Sequence, residues 1–243
     1  MVEWTDRGFV IKTIPRGENH LVVTLFTRCR GAVTGLVHGG QGTRKAPLLQ
    51  RGNLVSADWS SRQADGYGTY RLELAEAIAA RALDSRLSLL ALQSVTDLLC
   101  EILPEGVAYE GLFDATEVFF SALGEKAIMA TLLVKWELGL LAALGYGLSL
   151  ERCAATGRTL EDGADLVFVS PKSGGAVTAE AGAPYADRLL PLPPFLIDRG
   201  EPTWPDIAAG LRLTGTFLDE RLLAPVGKSL PEARGQLIRR LTR

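Results

Sequence analysis

Cysteine is scarce in this 243-residue chain: Cys29, Cys100 and Cys153 are an odd number and far apart. Such a set builds no disulfide framework and points to a reducing compartment, the cytoplasm. Histidine is scarcer still, with only His20 and His38, both in the first 40 residues. No serine elbow and no Cys–His arrangement can therefore be assembled for nucleophilic catalysis. Long apolar runs are missing too. Stretches such as Ala127 to Val134 stop short of the roughly 18–20 residues that span a bilayer, so no membrane partner is expected. The opening Met1-Val2-Glu3-Trp4-Thr5-Asp6 puts two acids where a secretory leader needs a basic and then an apolar segment. No DxD or DxE cluster is present to hold magnesium. Gly39-Gly40-Gln41-Gly42-Thr43-Arg44-Lys45 has neither the Walker spacing nor a strand–helix GxGxxG. A non-enzymatic binding protein without a cofactor is the expectation.

What is present is an ordinary globular composition with an uneven charge. The chain is 47% hydrophobic and 22% charged, with 26 Lys+Arg against 28 Asp+Glu and a formal net charge of −2. Residues 1–75 hold 10 of those cations and 6 of the acids, whereas residues 76–243 hold 16 and 22. Between Glu18 and Asp58 there is no acid at all, and Arg28, Arg30, Arg44, Lys45 and Arg51 lie in that interval, with His38 beside them. A phosphate backbone responds to a local field, because counterion release depends on nearby cations and not on total charge. These five residues, with Lys12 and Arg16 as weaker contacts, are the candidate DNA-binding set.

The hydrophobic pattern divides the chain. Gly8–Ile14, His20–Thr27, Gly31–His38, Leu54–Ser60 and Thr69–Leu74 read as short strands separated by glycine turns. Five strands with no room for crossover helices suggest a small closed sheet of the OB-fold kind. Phe9 and Phe26 belong to apolar strands and are expected in the core, whereas Tyr67 and Tyr70, near a glycine turn, are placed at the surface. From Leu74 the period becomes helical, with segments at 75–83, 87–103, 109–123 and 125–144 and N-cap chemistry at Asp84-Ser85. Phe113, Phe119, Phe120 and Trp136 read as packed core. A compact β-hairpin is expected over 165–178, followed by helices at 205–223 and 231–241. The cations Arg239, Arg240 and Arg243 near the end of the last helix suit its macrodipole. The expected architecture is an N-terminal OB-fold barrel (1–78) and a mainly α-helical domain (79–243) with a small β-hairpin insert at about 150–182.

Several blocks in order resemble the bacterial RecO family. Glu3-Trp4-Thr5-Asp6-Arg7-Gly8-Phe9-Val10-Ile11, Gly17-Glu18-Asn19-His20 and Leu25-Phe26-Thr27-Arg28 resemble its opening. Gly31, Gly35-Leu36-Val37-His38-Gly39-Gly40 and Leu48-Leu49-Gln50-Arg51-Gly52-Asn53 resemble the next segments. Leu138 to Leu150, Cys153 to Gly157 and Tyr185-Ala186-Asp187-Arg188-Leu189-Leu190-Pro191 continue the match over nearly the whole chain. The resemblance implies an N-terminal OB-fold and a helical C-terminal domain. It also implies binding of single- and double-stranded DNA and strand annealing. The implied partners are RecR and the single-stranded-DNA-binding protein SSB, with RecA loading in gap repair as the outcome. Some members carry a four-cysteine zinc knuckle, of which this chain matches only Cys153. A single thiol does not close a tetrahedral site, so no metal is expected. A competing reading makes the helical domain an adaptor for the acidic SSB C-terminal tail or for RecR, with Lys126, Lys135, Arg152 or Arg188 as its cation and DNA contact secondary.

Overall fold

The computed structural model describes residues 2–61 and 67–241. Five strands open the chain: β1 (Val2–Arg16), β2 (His20–Thr27), β3 (Gly31–Val37), β4 (Leu54–Ser61) and β5 (Gly68–Glu76). They close into a barrel in the order β1-β2-β3-β5-β4. β3 and β5 run parallel and the other neighbours antiparallel, which is the OB-fold expected from the pattern.

β1 is longer than its hydrophobic run because it serves two partners. Val2–Phe9 pairs with β4 and Gly8–Arg16 with β2. The register of β1 on β2 shifts between Val10 and Lys12, the irregularity expected where a barrel strand bends from one partner to the next. There Val10 donates its N–H to Asn53 O (2.9 Å) and its carbonyl accepts from Gly52 N (2.7 Å). Pro15 does not end the strand; it pairs with Leu21 close to the β1–β2 turn.

Both faces of this sheet are buried at β1. Val10, Val23, Leu25, Val37, Val55, Ala57, Trp59 and Tyr70 belong to one core cluster. Phe9 and Phe26 instead meet α3 (Glu110–Ser121), which follows α1 (Ile78–Ala82) and α2 (Arg86–Ile102). Phe9 lies 4.8 Å from Phe113 and 5.2 Å from Phe120 between ring centroids, and Phe26 lies 5.6 Å from Phe113. Tilted and edge-on rings at these separations add to plain area burial. The Ser85 side chain accepts from Ser88 N at the start of α2, as the Asp84-Ser85 pair suggested. Residues 1–124 and 231–237 pack as one unit.

The second unit comprises residues 125–230 and 238–243. It contains α4 (Lys126–Ala143), whose Met129, Leu133, Trp136 and Leu140 are buried. The expected two-stranded hairpin is present as β7 (Leu166–Val169) against β8 (Gly175–Thr178), but it is part of a larger sheet. β6 (Ser149–Cys153) and β9 (Leu190–Pro191) extend it to four strands in the order β6-β8-β7-β9. These edge strands are five and two residues long, too short to show a period of their own. After α5 (Ala179–Gly182) comes α6 (Trp204–Phe217), opened by a capping box in which Thr203 and Asp206 satisfy each other's backbone N–H. The final helix, α7 (Glu232–Leu241), has Arg239 and Arg240 in its last turn; Arg243 lies outside the described residues. Among the described residues no helix is long and apolar enough to cross a membrane.

Candidate nucleic-acid interface

The link between β3 and β4, residues 38–53, is fastened at both ends. At its start Gln41 Nε2 donates to Gly17 O (2.9 Å) and His20 O (3.0 Å), tying the loop to the β1–β2 turn. At its end the buried Asn53 donates from Nδ2 to Pro47 O (2.8 Å), and its Oδ1 accepts from Ala79 N (2.9 Å) at the start of α1. Between these anchors the backbone coils on itself, with Ala46 N donating to Gly42 O and Leu49 N to Lys45 O. Thr43, Arg44, Lys45, Ala46 and Pro47 are left exposed. A pinned loop presenting cations loses less conformational entropy on binding a polyanion than a free one.

The seven candidate cations are in different electrostatic states. Arg28 is engaged by α3: its Nε and Nη2 donate to the Asp114 carboxylate at 3.0 and 3.1 Å, and Glu110 stands 3.5 Å away. The hydrogen bond and charge of Asp114 raise the guanidinium above its ordinary value, and the same bond holds the carboxyl below its own. Arg51 is paired with Asp97 of α2 at 2.5 Å and also donates to Thr96 Oγ1. Arg30 sits over the Trp4 ring, 5.3 Å from its centroid. Lys45 donates to the neutral His38 carbonyl (2.6 Å) and so keeps its charge uncompensated. Lys12, Arg16 and Arg44 are exposed, and none makes an ion pair among the described residues.

The fold gathers one of these cations, Lys45, with His38 and with a cation the sequence did not nominate, Arg71. Lys45, His38 and Arg71 line one recess of about 730 Å³ over β4 and β5, shared with Trp59 and Tyr70 and bordered by Glu3 and Asp58. Arg71 alternates outward between the inward Tyr70 and the half-buried Leu72, so strand periodicity alone identifies it as a surface cation. His38 meets His20 edge to face at 4.9 Å. Of the two tyrosines placed at the surface, only Tyr67 is there, at 70% exposed. Tyr70 is 4% exposed, pairs across the ladder with Trp59, and donates its hydroxyl to Val33 O (2.9 Å). The correction follows from strand phase, because Trp59 fixes which face its partner joins.

No group of three or more His, Cys, Asp or Glu residues is placed to hold a metal ion among the described residues. Cys153, the one match to a zinc-knuckle thiol, lies in a tight turn closed by Gly157 N donating to Cys153 O (2.8 Å). Burial pushes this thiol up, but the Thr156 hydroxyl and the backbone N–H groups of Thr178, Thr156 and Ala155 outweigh it and bring it down to about 6. The folded chain then holds fewer protons than the unfolded chain between about pH 6 and 9, so stability rises with pH across that window. The gain is complete above the unfolded thiol value and is lost as pH falls through the folded one. Urea unfolding of wild type and Cys153→Ser at pH 6 and pH 9 measures it. The difference between the proteins should be larger at pH 9; an equal difference removes the thiolate.

Residues 1–80 match the family description "Recombination protein O N terminal", and residues 84–230 match "Recombination protein O C terminal". The chain is 44% identical over 239 residues to the "DNA repair protein RecO" of Rhodospirillum centenum, covering 98% of this chain and 94% of that one. The proteins of the same name from Xanthobacter autotrophicus and Rhodospirillum rubrum are 45% and 42% identical. Those alignments cover 98% and 100% of this chain, and 96% and 98% of the relatives. With both family regions matched in order on a barrel followed by helices, the chain belongs to the RecO family of DNA repair proteins.

Proposed function

We propose that this protein binds DNA through the barrel and its 38–53 loop, and anneals complementary strands as a recombination mediator in gap repair. The observation that carries the reading is the acid-free loop, pinned at Gln41 and Asn53 and presenting Arg44 and Lys45 to solvent. Residues 1–78 are the DNA-binding module in this reading, and residues 79–243 the helical domain that meets protein partners. Phosphate contacts from Arg44, Lys45, Lys12 and Arg16 hold a strand without reading its sequence. Arg28 and Arg51 contribute less, since each must exchange a carboxylate for a phosphate. Bringing two screened strands together suffices for annealing, so no catalytic residue and no cofactor is invoked. In the cytoplasm the partners are single- and double-stranded DNA, RecR and SSB, and the outcome is loading of RecA.

A second contact is favoured by one arrangement in the helical unit. Lys126 Nζ lies 4.6 Å over the ring of Trp204, itself 42% exposed. This supplies the combination of cation and apolar wall that an acidic tail ending in an apolar residue requires. Annealing of complementary strands coated with SSB, either intact or lacking its C-terminal tail, tests both parts. The expected result is annealing of bare strands in the absence of SSB, and of coated strands only when the tail is present. Failure on bare strands overturns the DNA reading. Indifference to the tail on coated strands overturns the second contact.

A further inference from the structure

A recess of about 690 Å³ opens beside the barrel, apart from the cationic loop, and its lining contains flat rings and few charges. Its size falls in the range of small-ligand sites. Trp4, near the start of β1, stacks on Trp59 with ring centroids 5.5 Å apart and planes within 13°. Arg30, from the β2–β3 turn, holds its guanidinium 5.3 Å from the Trp4 centroid. Tyr67, ahead of β5, is 70% exposed and lines the same recess. An exposed tyrosine, an indole and a planar cation in one recess are groups that stack with nucleobases.

The segment after α2 that also lines the recess is rigidly placed. Gly106 N donates to Ala32 O (2.9 Å), and Thr34 Oγ1 donates to Glu105 Oε1 (3.1 Å), which fixes the segment after α2 against β3. Gly31, at φ +68°, lets that segment come close: a Cβ there would stand 1.8 Å from Val107 O. The recess therefore holds a carboxylate and a hydroxyl as well as the rings. Glu105, the carboxylate in this lining, disfavours a phosphate beside it but accepts well from an exocyclic amino group. The chemistry fits a neutral, planar ring with amino donors.

We infer that this recess takes an unpaired nucleobase of single-stranded DNA, stacked among Trp4, Arg30 and Tyr67 with its polar edge toward Thr34 and Glu105. The inference rests on the DNA-binding reading and deepens it by separating base contacts from phosphate contacts. Bases in a duplex have their faces occupied by neighbours, so the recess selects single strands over double strands. Stacking of this kind is sequence-tolerant, because every base has a π-face.

The test compares two single strands of equal length binding to the full chain, one bearing bases and one with abasic residues throughout. Their phosphates are the same, so the 38–53 loop treats them alike. The base-bearing strand should bind roughly tenfold more tightly, the order expected for one well-stacked base. That advantage should be lost in Tyr67→Ala and Arg30→Ala, whose side chains are exposed and whose removal leaves the barrel core intact. Equal binding of the two strands to wild type overturns the inference and leaves the phosphate reading standing. An advantage that survives in both variants also overturns it, because the bases are then read elsewhere. If neither strand binds wild type, the DNA-binding reading itself falls, and this inference with it.

Discussion

Alanine at both Arg44 and Lys45 lowers affinity for single-stranded DNA roughly 25-fold at about 0.1 M salt and flattens the log–log salt dependence by about 1.4. The size follows from two phosphate contacts, each releasing about 0.7 counterions from a single strand, with a difference that vanishes near 1 M salt. Both side chains are exposed, and among the described residues the side-chain hydrogen bond lost is Lys45 to His38 O. The variant should therefore melt like wild type. Arg28→Ala/Arg51→Ala provides the contrast. Each of those guanidiniums already has a carboxylate partner in Asp114 or Asp97, so the affinity loss and slope change are smaller. Equilibrium titration across a salt series reads both quantities. An unchanged affinity and slope in Arg44→Ala/Lys45→Ala takes the loop out of the interface.

Phe113→Ala should cost about 3–5 kcal/mol, the usual range for truncating a fully buried phenylalanine. The ring is wholly buried and touches both Phe9 and Phe26. Its loss leaves a hole between α3 and two barrel strands, and the rigid ladder around Phe9 and Phe26 is ill placed to collapse into it. The expected readout is a urea midpoint lowered by roughly 1–2 M, taking a denaturant slope of about 2–3 kcal/mol/M. Tyr67→Ala, at the mouth of the recess and 70% exposed, should leave the midpoint almost unmoved. A loss below about 1 kcal/mol for Phe113→Ala means the helix does not depend on that contact.

Much of the barrel was legible because a strand's period is local. His20–Thr27 is rich in β-branched and aromatic residues and is followed by turn residues, and β2 has those limits. The first half of β1 was not legible, since Glu3, Thr5 and Asp6 give it no apolar run; it is a strand because β4 lies beside it. Tyr70 was misplaced for a related reason. Its neighbours suggested a turn, but pairing with Trp59 commits it to the inner face. In the second unit β7 and β8 carry their own hairpin turn, whereas β6 and β9 are recruited from the edges by a sheet already formed.

The candidate site divides in the same way. The uneven charge, the acid-free interval from Glu18 to Asp58 and the five strands follow from composition and short-range period, which need no partner. Which cations are paired depends on long-range contacts. Asp114 reaches Arg28 across 86 residues of chain and Asp97 reaches Arg51 across 46, so neither neutralising carboxylate appears in the basic stretch. Folding also brings Trp4, Arg30 and Tyr67 to one recess, whose lining comes from β1, the β2–β3 turn, β3, β4, the lead into β5 and the segment after α2. Charge along a chain is additive and local; the field at a surface depends on what folding brings beside each charge.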